Sequence, residues 1–398
     1  MPLWRRCATA VALAALLPSM ASAIPAFARK YGVSCRLCHD PAPKLNAFGE
    51  AFAGNGFRFA AAEPPRDTID TGDPLLELTR DVPLALRVDA YIRAYTDQQG
   101  TDFQTPYGFK LLSGGPISNS ISYYVYFFLF ERGEIGGIED AFLYFNDLGG
   151  APLDAAVGQF QVSDPMFKRE LRLMIDDYMI YRTRVGEQTI DLTYDRGIMT
   201  AVGAAGFTLT GEIINGNGRV ESTENRRLDD NTFKNLFGHL TRELGSHLRL
   251  GAMGYFGKSD GVSAAGVDTL TNDTWMLGAD ATVAFGPVEL NAQYVHREDN
   301  VPTFTPGEET ARTDGGFAEL LVRPAESRFY GFALYNGMKA NRPLLDPRAG
   351  GPSGVDRYHT LTGGLGHLLR RNIRAYGEAT WDFERDEAAF GLGVTAAF

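Results

Sequence analysis

The sequence predicts a mainly β protein, a transmembrane antiparallel β-barrel of about sixteen strands behind a small α-helical N-terminal segment. Three observations carry that expectation. From about residue 83 onward, short stretches alternate apolar and polar side chains. The connections between them alternate between short and long, as in outer-membrane barrels. After the first 23 residues no stretch is apolar enough over the roughly 20 residues that a membrane helix needs. A membrane crossing by this chain therefore takes strands closed into a barrel.

The 398-residue chain opens on a leader. Arg5 and Arg6 precede an apolar run from Cys7 to Leu17, and Ala21-Ser22-Ala23 forms a small-residue cleavage site. That is the pattern of a secretory signal peptide over residues 1–23. Its removal takes away two arginines and no acid, so the net charge moves from −11 to −13. Such an acidic chain excludes nucleic acid as a partner, which needs a basic face. Two cysteines remain, too few for a disulfide scaffold of this length.

Those two cysteines define residues 24–66. Cys35-Arg36-Leu37-Cys38-His39 is C-x-x-C-H, the attachment signature of c-type haem. Two thiols add across the porphyrin vinyl groups, and the following imidazole binds one axial face of the iron. A thioredoxin-like site would need a βαβ frame, and a zinc site a second pair of ligands; neither is present. The expectation is one covalent haem c on Cys35 and Cys38, with His39 on the iron. Around it, Ile24 to Tyr31 reads as a short helix stopping at Gly32. A second helix from Lys44 sets Leu45, Phe48 and Phe52 on one face and ends at Gly54-Asn55-Gly56. So short a segment has little core of its own, and the haem is expected to supply it. A sixth iron ligand is not local: between Ile24 and Pro83 there is no methionine and no histidine besides His39. The iron is five-coordinate, or Lys44 or Asn46 binds weakly, or the barrel supplies a group.

Residues 67–82 read as a linker and 83–398 as the barrel. Leu248, Leu250, Ala252 and Phe256 alternate with His247, Arg249, Met253 and Tyr255. Val288, Leu290, Ala292 and Tyr294 alternate with Glu289, Asn291 and Gln293. Tight turns fall near Arg370–Ile373, Pro324–Arg328, Phe285–Val288 and Glu243–His247. Long polar loops fall near Leu344–Val355, Asn300–Ala311, Lys258–Asp273 and Asn215–Asn231. The final strand ends on Phe398, an aromatic end that barrel-assembly machinery reads. About 315 residues at about 20 per strand and connection give the count of about sixteen.

Parity of the strands puts the stretch from Gln161 to Asp177 on the periplasmic side or in the lumen, in the same compartment as the haem segment. Met166 and Met174 are therefore candidate sixth ligands, as are His239 and His247, which alternation points inward. His296, His359 and His367 fall on apolar faces and read as interfacial positions. Asp164, Glu170, Asp176 and Asp177 can attract a cation, although solvated loop charge is the plainer reading. No nucleotide loop, H-E-x-x-H or nucleophilic triad is present, and Gly363, Gly364 and Gly366 lie in a strand pattern.

Pro25-Ala26-Phe27-Ala28-Arg29, the C-x-x-C-H motif and Leu45-Asn46-Ala47-Phe48-Gly49, followed by a porin-like barrel, resemble the fused cytochrome–porins of the bacterial outer membrane. The motif match covers some 35 residues; over the barrel the likeness is one of architecture. The resemblance implies a monohaem conduit, with electrons passing between an extracellular donor such as iron(II) and a periplasmic carrier, and outer-membrane lipid around the barrel. Three functions compete: electron transfer across the outer membrane, a diffusion porin with a haem plug, and a haem peroxidase-like enzyme. The first leads because one haem is fused to a barrel, so the chain is expected to be an electron-transfer protein more than a conventional enzyme.

Overall fold

The computed structural model describes residues 26–59, 68–76, 78–80, 82–96, 100–220, 226–229, 231–263, 266, 269–347 and 353–398. The leader at 1–23 and residues 67, 77 and 81 of the expected linker lie outside these. Sixteen antiparallel strands close into one barrel, and two very short strands form a separate pair. The first barrel strands are β1 (Leu84–Tyr95), β2 (Thr101–Pro116), β3 (Ile121–Glu131), β4 (Gly137–Phe145) and β5 (Leu153–Gln161). After the short β6 (Arg184–Val185) come β7 (Tyr194–Ala204), β8 (Phe207–Ile214), β9 (Asn235–Leu244), β10 (Leu248–Val262) and β11 (Thr269–Phe285). Next are β12 (Val288–Asp299), β13 (Ala311–Val322), β14 (Phe329–Ala340) and the short β15 (Leu345–Asp346). β16 (Arg357–Arg370), β17 (Ile373–Asp382) and β18 (Glu387–Ala397) complete the wall.

Closure joins β1 to β18, from Arg87 opposite Ala397 to Tyr95 opposite Ala389. Leu86 and Phe398 exchange backbone hydrogen bonds of 2.6 and 2.8 Å beyond that register. Among the described residues the closed wall leaves no barrel strand with an open edge.

The wall inverts the usual distribution of polarity. On β9, Leu236 and Leu240 are exposed while Asn235, Phe237 and His239 are buried; on β12, Leu290 and Tyr294 are exposed while Asn291, Gln293 and Arg297 are buried. Large apolar groups outside and polar groups inside suit a wall surrounded by hydrocarbon. His367 stacks on Phe329 with centroids 4.4 Å apart at the turn end. His296 lies 5.2 Å from Trp275, and His359 6.3 Å from Tyr335, toward the loop end. All three therefore sit among outward aromatics, as their alternation predicts.

Two sequence expectations for the barrel need correction. The stretch Lys258–Asp273 is mostly strand, because polar alternation carries β10 to Val262 and starts β11 at Thr269. The parity of the Gln161 stretch also changes. A two-residue hairpin at Ala205-Gly206, with φ of +53° and +77°, adds a reversal between β7 and β8. Residues 162–193, between β5 and β7, therefore leave from the long-loop rim, not from the short-turn rim.

That connection then folds into the lumen and fills it. Val162, Leu173 and Tyr181 are fully buried, and Met166, Met174, Tyr178, Ile190 and Leu192 pack in the same apolar cluster as Phe237, Phe317 and Tyr376 of the wall. Polar ties hold it to strands on every side. Lys110 of β2 and Tyr126 of β3 reach Glu170 at 3.0 Å. Tyr178 Oη donates to Glu319 of β13 at 2.7 Å, Tyr181 Oη to Gln293 of β12 at 2.6 Å, and Arg374 of β17 to the Leu173 carbonyl at 2.6 Å. At the outer rim β6 pairs with β15 through Val185 and Leu345.

Candidate functional site

Local sequence shapes the N-terminal segment. Helix α1 (Ala26–Tyr31) stops at Gly32, whose φ of +64° is the left-handed conformation that glycine tolerates. Ser34 then caps a 3-10 turn over Cys35–Leu37. The His39 N–H bonds to the Cys35 carbonyl at 2.9 Å, so both cysteines and the histidine come from one tight turn. Helix α2 (Ala47–Gly54) starts later than the sequence predicts, because Asn46 serves as its N-cap. The Asn46 amide oxygen accepts from Gly49 N at 3.0 Å, while its Nδ2 donates to the Arg36 and Leu37 carbonyls. Asn46 is thereby committed to holding α2 against the cysteine turn. Gly49 permits the close approach: a Cβ there would lie 2.2 Å from the Cys38 carbonyl oxygen.

Aromatic rings supply part of the segment's core. Phe27 lies 5.3 Å from Phe52 and from Phe57, and Tyr31 lies 4.7 Å from Phe59. The rings occupy one side only. On the other side Cys35 and His39 border a cavity of about 650 Å³.

The opposite wall of that cavity comes from the barrel's short-turn end. Pro287, Arg323, Glu326, Tyr330 and Arg371 all line it. Ion pairs fix the segment there: Arg36 to Glu326 at 2.9 Å, Lys44 to Glu289 at 3.3 Å, and Lys168 of the luminal connection to Glu50 at 2.6 Å. Arg323 donates to the Asp40 carbonyl at 2.8 Å, and Phe57 stacks on Tyr124 at 5.0 Å. Lys44, like Asn46, is thus occupied elsewhere. The barrel residues carry no local sequence signal, since they sit on turns some 250–330 positions downstream of the cysteines.

His39 Nδ1 lies 3.0 Å from the Pro43 carbonyl oxygen. A carbonyl only accepts, so Nδ1 carries the proton and Nε2 keeps its lone pair. Burial lowers the His39 pKa, which keeps the imidazole neutral, as a metal ligand must be. Burial also raises both thiols, Cys35 and Cys38, which stand free and half-buried with no disulfide between them. The turn thus offers two free thiols and one neutral nitrogen donor, with Cys35 and His39 beside the cavity.

The four distant candidates do not meet at this cavity. Met166 and Met174 are packed into the luminal cluster. His239 Nε2 is 2.7 Å from Asp280 Oδ2, with both side chains buried. His247 does not point into the lumen; it is exposed at the β9–β10 turn, stacked on Phe285 with Nδ1 2.9 Å from the Ala284 carbonyl. Alternation misplaces it because the strand ends at Leu244 and the turn breaks the period. Asp176 and Asp177 are also explained without a cation. Asp176 accepts from Thr362 and Thr380, and Arg169, Arg172 and Arg182 surround Asp177.

No family model matches the chain, and no curated protein matches it. Solved structures do match in fold. An anion-selective porin from Comamonas acidovorans superposes with a TM-score of 0.56 at 13% identity, covering 80% of this chain and 99% of that one. A loop-deletion mutant of the outer-membrane protein OmpT of Vibrio cholerae gives 0.55 at 11%, covering 80% and 99%. The outer-membrane channel DcaP of Acinetobacter baumannii gives 0.54 at 13%, covering 80% and 97%. The likeness is one of fold: this chain is a closed, porin-like sixteen-strand antiparallel barrel with a small helical N-terminal segment.

Proposed function

We propose that the chain is an outer-membrane electron-transfer protein, a porin-like barrel that holds one covalent haem c at its short-turn mouth. One observation carries the reading: the cavity of about 650 Å³ has Cys35 and His39 on one side and barrel turns on the other. Its size falls within the range of about 300–1,000 Å³ common for small-molecule and cofactor sites. Cys35 and Cys38 would form the thioethers, and His39 Nε2 would bind the iron while Pro43 holds the ring through Nδ1. Of the arginines around the cavity, Arg36 and Arg323 are paired with Glu326 and Glu289, which leaves Arg371 to meet a carboxylate on the bound group. When bound, haem supplies a one-electron couple whose potential depends on ligation, burial and nearby charge. The apolar outer face would contact outer-membrane lipid. A carrier would meet the short-turn end from the periplasm, and an extracellular donor the loop end.

Staining of outer-membrane fractions for covalent haem, with reduction of intact against lysed cells by an impermeant donor, tests this reading. Haem-positive barrel reduced in intact cells is the expected result. Reduction only after lysis refutes conduction.

A diffusion porin is the second reading, and the fold comparisons favour it: the similar solved proteins include an anion-selective porin and an outer-membrane channel. The polar inner face of the wall agrees with it. The packed connection at 162–193 argues against free diffusion. Conductance in planar bilayers separates the two, since a porin passes ions without any haem.

A further inference from the structure

We propose that the iron face opposite His39 is left to an exchangeable small ligand, an anion or a neutral lone-pair donor, and not to a side chain of this protein. The inference rests on haem attachment at Cys35 and Cys38 and deepens that reading.

It follows from following every strong iron donor through the fold. The sequence has six histidines. Apart from His39, His239 is buried against Asp280, His247 stacks on Phe285 outside the cavity, and His367 stacks on Phe329 on the outward face. His296 pairs with Asp314 and His359 with Glu384. The methionines beyond the leader are no closer. Met166, Met174, Met253 and Met276 lie in the luminal cluster, with Met199 packed against it. Met179 and Met338 form a second cluster beside β15. Lys44 is paired with Glu289, and Lys168 with Glu50.

The barrel side of the cavity instead presents Pro287, Arg323, Glu326, Ser327, Tyr330 and Arg371. Glu326 is held by Arg36 at 2.9 Å. The Tyr330 phenol is buried and accepts from Arg374 Nη1 at 3.1 Å, which draws its oxygen toward the luminal connection. No imidazole or thioether therefore faces His39 across the cavity. Of the three arginines that line it, Arg36 is paired with Glu326 and Arg323 with Glu289, while Arg371 makes no hydrogen bond among the described residues. A small ligand entering from the short-turn side would meet the Arg371 guanidinium and no competing imidazole or thioether.

The test uses the full haem-loaded chain, purified in detergent, with cyanide and carbon monoxide as probes. The ferric protein is expected to be high-spin in its absorption and electron paramagnetic resonance spectra. Cyanide should convert it to low-spin along a saturable isotherm, and carbon monoxide should bind the ferrous form. His247→Gln and His367→Gln should leave the starting spectrum unchanged. A low-spin spectrum indifferent to cyanide overturns the proposal, as does a low-to-high-spin change in either variant, which would name the protein ligand. Protein with no covalent haem at all refutes the underlying reading instead, and staining after denaturing electrophoresis tells the two failures apart.

Discussion

Two stretches outside the wall occupy the barrel, and they differ in how completely the polypeptide finishes them. Residues 162–193 bury an apolar cluster and satisfy polar groups both on the wall and among themselves. Asp177 illustrates this: burial pushes its carboxyl up, but Arg169, Arg172 and Arg182 outweigh that and hold it at about 2. The N-terminal segment has an aromatic half-core, an exposed Phe48 and Leu37, and a cavity beside Cys35 and His39. Side chains alone complete the first stretch, whereas the second leaves a cavity between itself and the barrel turns.

The strongest way to break this contrast is to remove the thiols. Cys35→Ala with Cys38→Ala should abolish covalent haem staining and leave barrel assembly intact, read from the heat-modifiable mobility of folded barrel on gels. The wall's registers involve neither residue. Staining that survives the double substitution ends the attachment argument.

Deleting residues 165–190 and joining the ends with a short Gly-Ser link tests the other stretch. The lumen loses its packed core, so single-channel conductance should rise by about tenfold or more, toward that of an open barrel. An unchanged, already large conductance in the parent protein would favour the diffusion reading.

Gly49→Ala probes how the N-terminal segment is assembled. The added methyl meets the Cys38 carbonyl 2.2 Å away, so α2 must shift off the cysteine turn. A loss of about 1–3 kcal/mol in segment stability is expected for such overpacking. Limited proteolysis ahead of residue 84 should quicken, with the barrel itself unaffected.

These effects also mark what was legible in the sequence. Period-two alternation identified the wall, since a barrel in lipid needs apolar residues on one face of each strand and polar ones on the other. The cysteine turn was legible because its spacing is local. Parity of the luminal connection was not: the reversal at Ala205-Gly206 carries only one glycine and no Asn-Gly or Asp-Gly signal. Arg323, Glu326 and Arg371 were not legible either, because they reach the cysteine turn only through barrel closure.

A smaller effect concerns Asp164, near the start of the luminal connection. Burial raises its carboxyl to about 7; repulsion from Glu50 and Glu170 adds to this, and Lys168 partly offsets it. The folded chain keeps this proton while the unfolded chain releases it near 3.8. Stability is therefore full below that value and falls as pH rises toward about 7. Asp164→Asn keeps the acceptor for Gln161, which donates at 2.7 Å, and removes the titration. Its melting temperature should exceed the parent's by more at pH 8 than at pH 5. Equal gains at both values would mean that Asp164 does not titrate in this window.

The smallest effect lies where the two stretches touch. Glu50 of α2 meets Lys168 of the luminal connection at 2.6 Å, yet the two side chains are 50% and 27% exposed. Burial would raise Glu50, but Lys168 leads the charges that hold it below its ordinary value of 4.5. The pair therefore contributes fully above that value and fades as pH falls through the depressed one. With this much exposure it is worth at most about 1 kcal/mol and is screened by salt. Glu50→Gln should loosen the segment slightly at pH 7 and low salt, seen as faster amide exchange in α2. At pH 3 or in 1 M salt (Debye length about 3 Å) the variant and parent should converge. If the difference persists there, the contact is one of packing and not of charge, and α2 is seated by Gly49, Asn46 and the aromatic rings alone.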